Sequence, residues 1–331
     1  MTPLLELKNI SKRFEKKLDM AGRIAKKCGA NLADDVVYAV DNVSLSIDEG
    51  EVVGLVGESG CGKSTLGRIV VGLHQPSAGV KIWRGKPVAD MSAAERRVMQ
   101  LEAQMIFQDP YASLNPRFRV EDIIGEAPVV HGIIRADEKA DYAIALMQKV
   151  GLDASLAKRF PHQFSGGQRA RIGIARALAV NPKFIVCDEA VAALDVSIQA
   201  QVLNLFSQLR EELNLTYLFI SHDLGVVHHV SDRVVIMYLG RVVEEGATEE
   251  IFATPSHPYT QALLKEVPSL TVRKKNFVAV TGEIPSPLYP PTGCHFHPRC
   301  PHAILRCVEA APPLKQIAPM RYAACHLNAV L

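Results

Sequence analysis

The stretch Cys187–Asp195, CDEAVAALD, sets two adjacent carboxylates, Asp188 and Glu189, at the end of the apolar run KFIV. Such a run predicts a buried strand that delivers both acids to one edge of a sheet. Placed there, one acid can hold a cation while the other polarises a water molecule. The alternative is that they only favour the first turn of a following helix, whose dipole attracts negative charge. The choice turns on whether the chain also carries a phosphate site.

The stretch GEVVGLVGESGCGKSTLGRIVVGL supplies one. A short apolar run passes through a glycine-rich turn and resumes as a helical pattern of Leu66, Ile69, Val70 and Leu73. Residues 57–64 match G-x-x-x-x-G-K-S, a P-loop, in the strand, loop and helix setting the motif requires. Candidate nucleotide contacts are therefore Gly57, Glu58, Ser59, Gly60, Cys61, Gly62, Lys63, Ser64 and Thr65. The glycines let successive backbone N–H groups face one anion at a helix N-terminus. Lys63 reaches the terminal phosphates, and Ser64 offers a hydroxyl oxygen to Mg²⁺. A glycine-rich turn with a coincidental lysine is the alternative, and the agreement of pattern with setting argues against it. With a phosphate site present, Asp188 is expected at the metal and Glu189 at the attacking water.

The interval from Lys63 to Asp188 is far longer than one crossover between neighbouring strands needs. Inside it lie MIFQDPYASLNPR and QFSGGQRARIGIARALAVNP. The SGGQ segment opens a helical pattern of Ile172, Ile174, Ala175 and Leu178, a second helix N-terminus suited to an anion. Two phosphate-seeking helix ends in one chain suggest a nucleotide held between subunits.

Taken together, GESGCGKST, Gln108 after AQMIF, FSGGQ at 164–168, FIVCDE, AALD at 192–195 and His222 in YLFISHD resemble the nucleotide-binding subunit of an ATP-binding cassette (ABC) transporter. HPYTQALL at 257–264 and the cysteine-bearing tail resemble the oligopeptide/dipeptide importer branch. The resemblance implies an α/β P-loop NTPase with a mainly parallel sheet, an antiparallel β edge, a helical subdomain and a small Cys-rich tail. It implies a cassette at 4–250, with the helical subdomain at about 111–167, and an extension at 251–331.

It further implies site roles. Ser64, Gln108 and Asp188 would serve Mg²⁺, Glu189 would be the catalytic carboxylate, and His222 would contact the γ-phosphate. Ser165, Gly166, Gly167 and Gln168 would meet ATP bound to a partner subunit. An aromatic residue stacks on adenine in the family, and Phe14 fits that place, with Tyr38 as the alternative. In the groove that receives the membrane subunit, QDPYASLNPR is the expected lining, although Tyr111 and Leu114 could be ordinary packing. Ala190 and Ala192 depart from the proline and serine of the branch, at the residue after the second acid and in the loop expected to cross the dimer interface.

The implied assembly contains a second ATPase chain, expected as a paralogue in a heterodimer, two transmembrane permease subunits and an extracytoplasmic solute-binding protein. The implied activity is ATP hydrolysis that energises import of di- or oligopeptides, with nickel or opines as other solutes of the branch. An exporter ATPase is disfavoured by the importer-like tail. A cassette protein of translation or DNA repair is disfavoured by the single P-loop and the lack of a long coiled coil.

Composition agrees with a large ordered chain: 331 residues, 48% hydrophobic, 22% charged, net charge +2. That charge argues against a nucleic-acid partner. No apolar run of about 18 residues predicts a membrane span, and MTPLLELKNISKRF lacks a signal-peptide core. A peripheral place on the cytoplasmic face of the membrane is expected.

Cys28, Cys61 and Cys187 are dispersed, whereas Cys294, Cys300, Cys307 and Cys325 crowd the tail beyond the connector TGEIPSPLYPPTG. These four are expected to supply the thiolates of one iron–sulfur cluster, most simply [4Fe-4S], and family members with this pattern carry one. A structural Zn²⁺ is the alternative, although zinc prefers closer Cys pairs; unligated thiols are another. His295, His297, His302 and His326 are read as supporting or surface groups.

Overall fold

Strands β3 (Val52–Val56), β7 (Phe184–Asp188) and β8 (Thr216–Ser221) are buried at every position. Burial without alternation belongs to a parallel sheet covered on both faces. In the computed structural model, which describes residues 2–16, 35–109, 112–266 and 282–328, that sheet is the centre of the molecule. Cys28 and Tyr111 lie outside the described residues.

The sheet has eight strands in the order β11-β12-β10-β9-β3-β8-β7-β6, where β6 is Ala103–Ile106, β9 Arg233–Tyr238, β10 Arg241–Ala247, β11 Lys315–Ala318 and β12 Arg321–Ala323. From β9 to β6 the pairing is parallel. The P-loop follows β3, Gln108 follows β6, the two acids close β7, and His222 follows β8. Parallel pairing therefore brings four strand ends, far apart in sequence, to one edge. Ligands of open α/β sheets bind at that edge.

The early strands, expected as an antiparallel edge, form a sheet of their own in the order β2-β1-β4-β5. It comprises β1 (Leu5–Lys16), β2 (Asp35–Ile47), β4 (Ala78–Trp83) and β5 (Lys86–Pro87). Its inner face, with Leu5, Leu7, Ile10, Val43 and Ile47, shares a core with Leu55, Leu66 and Ile69. Helix α1 (Lys63–Val71) is thereby held between two sheets. It ends two residues short of Leu73, because Gly72 adopts φ 88° and closes it. Leu73 is left exposed.

A second core joins the other face of the main sheet to the helical region. There α3 (Val120–Val130) and α4 (Lys139–Lys149) pack against α5 (Gly166–Leu178) and α6 (Val196–Leu213), in chain order after α2 (Ala93–Glu102). Leu114 is buried in this core, which makes it packing rather than groove lining.

The tail is expected to be organised separately, and its last strands depart from that. β12 pairs with β10, and β11 pairs with β12, so the tail continues the cassette's own sheet. The junction surrounds Glu244, a carboxylate with no exposure. It accepts hydrogen bonds from the Ser256 N–H at 2.7 Å, the His257 N–H at 2.9 Å and Arg321 Nη2 at 3.3 Å. A buried charge is tolerable when paired and hydrogen-bonded in this way, and its removal strands the partner cation. Glu244→Leu is expected to destabilise the chain by roughly 3–5 kcal/mol, seen as a lower urea midpoint; an unchanged midpoint would remove Glu244 as the hub of this junction.

Candidate active site

The loop between β3 and α1 needs glycine where the backbone turns left-handed. Gly62 has φ 104°, and a Cβ there would lie 1.9 Å from the Ala39 carbonyl oxygen. That residue begins α1, so Lys63 and Ser64 occupy its first turn. Lys63 is 4% exposed. Its ammonium donates to the carbonyls of Gly57 at 2.7 Å and Glu58 at 3.0 Å, and lies 3.8 Å from Cys61 Sγ. Burial raises the Cys61 thiol and the Lys63 charge opposes that rise.

One residue on, Ser64 Oγ donates to Asp188 Oδ1 at 2.7 Å. Burial raises the Asp188 carboxyl, the Ser64 hydrogen bond and Arg68 lower it, and Glu189 raises it again. Glu189 follows as the first residue outside β7, with φ 47°. This left-handed conformation is uncommon for a residue with a side chain. It turns Glu189 Oε2 to within 2.6 Å of Gln108 Nε2 and Oε1 to within 3.3 Å of His222 Nδ1. Two strand-end groups thus grip the second acid while the P-loop serine grips the first.

These groups border a cleft of about 270 Å³ lined by Ser59, Gly60, Gly62, Lys63, Ser64, Thr65, Gln108 and Glu189 on one side and by Val37, Ala39 and Pro287 on the other. The oxygens of Ser64, Asp188 and Gln108 are the hard donors that suit Mg²⁺. Phe14 does not line the cleft; it is 38% exposed, lies edge-on to His74 and carries the Lys12 ammonium at 5.2 Å. It is, however, directly opposite Val37 in the β1–β2 register, so the two share a face. Tyr38 is opposite Arg13, whose guanidinium lies over its ring, on the other face.

Ser165, Gly166, Gly167 and Gln168 are absent from this cleft. They form the start of α5, where Ser165 Oγ accepts from the Gln168 N–H and Gln168 Oε1 accepts from the Ser165 N–H. A Cβ on Gly167 would lie 2.4 Å from Ile198 Cγ2, so this glycine also lets α5 approach α6.

The four tail cysteines share one small unit. The Cys294 N–H donates to the Cys307 carbonyl at 2.8 Å. Burial pushes the Cys294 thiol up to about 11, with Cys307, Cys325 and Cys300 contributing through their charge. Burial likewise raises Cys325, which feels Cys300 and Cys307. Among the described residues, no three His, Cys, Asp or Glu are grouped as one metal ion would need. His295, expected at the surface or behind the ligands, is buried, with Nδ1 3.1 Å from the Leu239 carbonyl oxygen.

A model of the ABC transporter family matches residues 40–192, and one of the oligopeptide/dipeptide transporter C-terminal region matches 243–307. The oligopeptide transport ATP-binding protein AppF of Bacillus subtilis is 48% identical, over 98% of this chain and 97% of that protein. The chain belongs to the ATP-binding subunits of ABC transporters, in the oligopeptide/dipeptide branch. Within this family, the dipeptide transport ATP-binding protein DppF of Haemophilus influenzae is 46% identical, over 87% of this chain and 89% of its own length. Among solved ABC structures, the cassette MJ0796, in a dimeric post-hydrolysis state bound to ADP and Pi, is 29% identical over 74% of this chain and 98% of that one, at TM-score 0.61. For cbiO1 from Clostridium perfringens, part of the transporter complex cbiONQ, the values are 26%, 77%, 92% and 0.62.

Sequence reasoning missed Val37, Ala39 and Pro287 in the cleft wall, and two residues that hold the P-loop through Glu58. The Tyr259 hydroxyl accepts from the Glu58 N–H at 2.9 Å, and Arg299 pairs with the Glu58 carboxylate at 2.7 and 2.9 Å. HPY was read as a family mark, with no local signal for where its tyrosine would reach.

Glu189 combines a left-handed backbone with a carboxylate beside another acid. Substituting Glu189→Gly is expected to give a chain more stable than Glu189→Ala by about 1 kcal/mol, the cost of a Cβ in this region, read from chemical unfolding midpoints. Equal stabilities would show that no strain is stored at this position.

Proposed function

We propose that the chain binds and hydrolyses ATP as one of two cassettes that drive import of di- or oligopeptides. The observation that carries this reading is the meeting of Lys63, Ser64, Asp188, Gln108 and Glu189 around one cleft. ATP places its β- and γ-phosphates against backbone N–H groups of 59–65, where α1 begins, and Lys63 turns from the loop carbonyls to the phosphate oxygens. Ser64, Asp188 and Gln108 would hold Mg²⁺, which would supply positive charge against the phosphates. Phe14, on the face shared with Val37, takes the adenine.

Glu189 Oε accepts a proton from water as its oxygen attacks the γ-phosphorus; the bond to the β–γ bridging oxygen breaks and ADP departs with that electron pair. Gln108 and His222 keep the carboxylate aimed, and His222, half-exposed beyond it, reaches the γ-phosphate. Ser165, Gly166, Gly167 and Gln168, remote from their own cleft, close over the ATP of the partner ATPase chain, a paralogue. The pair docks on two permease subunits that receive peptide from an extracytoplasmic binding protein. No helix among the described residues is long and apolar enough to cross a membrane, and the chain sits peripherally on its cytoplasmic side. The likeness to AppF, an oligopeptide transport protein, and DppF, a dipeptide transport protein, supports peptides as the solute.

In the assembled transporter, Glu189→Gln is expected to retain ATP binding and lose turnover by on the order of 10²-fold or more. Lys63→Ala should instead weaken nucleotide binding itself. Parental turnover in the first variant would refute the assignment of Glu189 as base, and parental affinity in the second would refute the phosphate cradle.

Cys294, Cys300, Cys307 and Cys325 are proposed to hold one [4Fe-4S] cluster with a structural or regulatory role outside ATP chemistry. The neighbouring thiols support it. Anaerobically purified chain is expected to be brown and to lose its colour when any of the four becomes serine. Colourless anaerobic protein with stoichiometric zinc and no iron would replace the cluster with the zinc alternative.

A further inference from the structure

The P-loop is gripped from outside the cassette at one residue. Glu58, second in the loop, has its backbone N–H bound by the Tyr259 hydroxyl and its carboxylate bound by both Nη atoms of Arg299. Its carbonyl is one of the two oxygens that hold Lys63. Every polar group of Glu58 is therefore tied, two from the C-terminal extension and one from the catalytic lysine. Both extension residues are well supported. Arg299 has a side chain 4% exposed and a further contact to the Tyr238 hydroxyl at 3.4 Å. Tyr259 is fully buried and packs against Tyr238 and Phe296. Its position at the start of α9 (Pro258–Glu266, after α7 at Leu224–Val230 and α8 at Thr248–Ala253) is set by His257, whose Nδ1 accepts the Tyr259 N–H at 3.0 Å. The backbone N–H of His257 is in turn held by Glu244.

We propose that Tyr259 and Arg299 are positioning residues for the ATP site, holding the P-loop in its phosphate-binding shape through Glu58, so that the peptide-importer extension is a working part of nucleotide binding. The proposal rests on the reading of residues 57–65 as the phosphate cradle. The Gly57 carbonyl that faces Lys63 shares a peptide unit with the Glu58 N–H that Tyr259 holds, so a loop whose second residue is released spends less of its time with those carbonyls aligned on the lysine. Apparent affinity falls by the fraction of time the competent shape is lost. The chemical step, carried by Glu189 on another strand, is left intact. Arg299 lies between Cys294 and Cys300, so the order of the thiol unit reaches the P-loop along the same side chain.

The test is steady-state hydrolysis of MgATP by the assembled transporter, with direct MgATP binding to the full chain. Tyr259→Phe keeps the ring and removes one neutral hydrogen bond, so KM is expected to rise about 2- to 10-fold with kcat unchanged. Arg299→Met removes a bidentate charged pair, and KM is expected to rise on the order of tenfold or more; Arg299→Lys, lacking the fork, should fall between. Adding Arg299→Met to Glu58→Ala should leave KM where Glu58→Ala alone puts it, because the path runs through Glu58. A lower unfolding temperature with unchanged KM in Tyr259→Phe and Arg299→Met would overturn the proposal and leave a purely structural contact. The Lys63→Ala control separates the two levels. If it loses MgATP binding while those two variants keep parental KM, the positioning role alone fails. If it binds MgATP normally, the cradle reading fails and the proposal with it.

Discussion

The proposed ATP site is organised around a cation withdrawn from water. A buried ammonium is costly unless oxygens surround it, and Lys63 finds them in the carbonyls of Gly57 and Glu58. Those carbonyls point inward only while the loop keeps its shape. The lysine and the loop define one another. The parallel register of β3 with β8 and β9 then fixes where that loop stands, and Ser64 meets Asp188 across β8.

The two acids at the end of β7 are an unfavourable pair for folding. Burial and the neighbouring Glu189 both raise Asp188, and Glu189 itself sits at φ 47°. Strain of this kind persists where surrounding structure over-determines it. Here the Glu189 N–H is bound to the Ile220 carbonyl at 3.0 Å, and its carboxylate is held by Gln108 and His222. Ala190, where the branch has proline, is buried directly after this turn, so the backbone is constrained by packing rather than by a pyrrolidine ring.

The extension is joined to the cassette by burial as well as by strand pairing. Tyr238, Tyr259, Phe296, Val243 and Leu263 form one core, with Cys294 and Cys300 against it. The aromatic residues of β9, α9 and the tail meet in angled contacts that suit ring quadrupoles. His257 is buried beside them, and burial lowers its pKa to about 4, which keeps Nδ1 an acceptor for the Tyr259 N–H at neutral pH. The HPY segment thus has a packing reason: histidine sets the turn, proline begins the helix, and tyrosine reaches the P-loop.

Local chemistry determined much of this protein in advance. The G-x-x-x-x-G-K-S spacing demands a strand, a left-handed turn and a helix, and FIVCDE demands a buried strand ending in acids, so the cradle, the two carboxylates and the α/β class were legible without coordinates. The SGGQ segment was legible as a helix start from the pattern of Ile172, Ile174, Ala175 and Leu178, and the fold seats Ser165 and Gln168 there as a capping box. What tertiary structure decided were contacts between residues far apart in the chain, for which no local pattern exists. These are the placing of Phe14 rather than Tyr38 on the cleft's face by β1–β2 register, the burial of Leu114, the tail's entry into the main sheet through β12, and the grip of Tyr259 and Arg299 on Glu58. Periodicity reports which face of an element is apolar; only the packed sheet decides what that face meets.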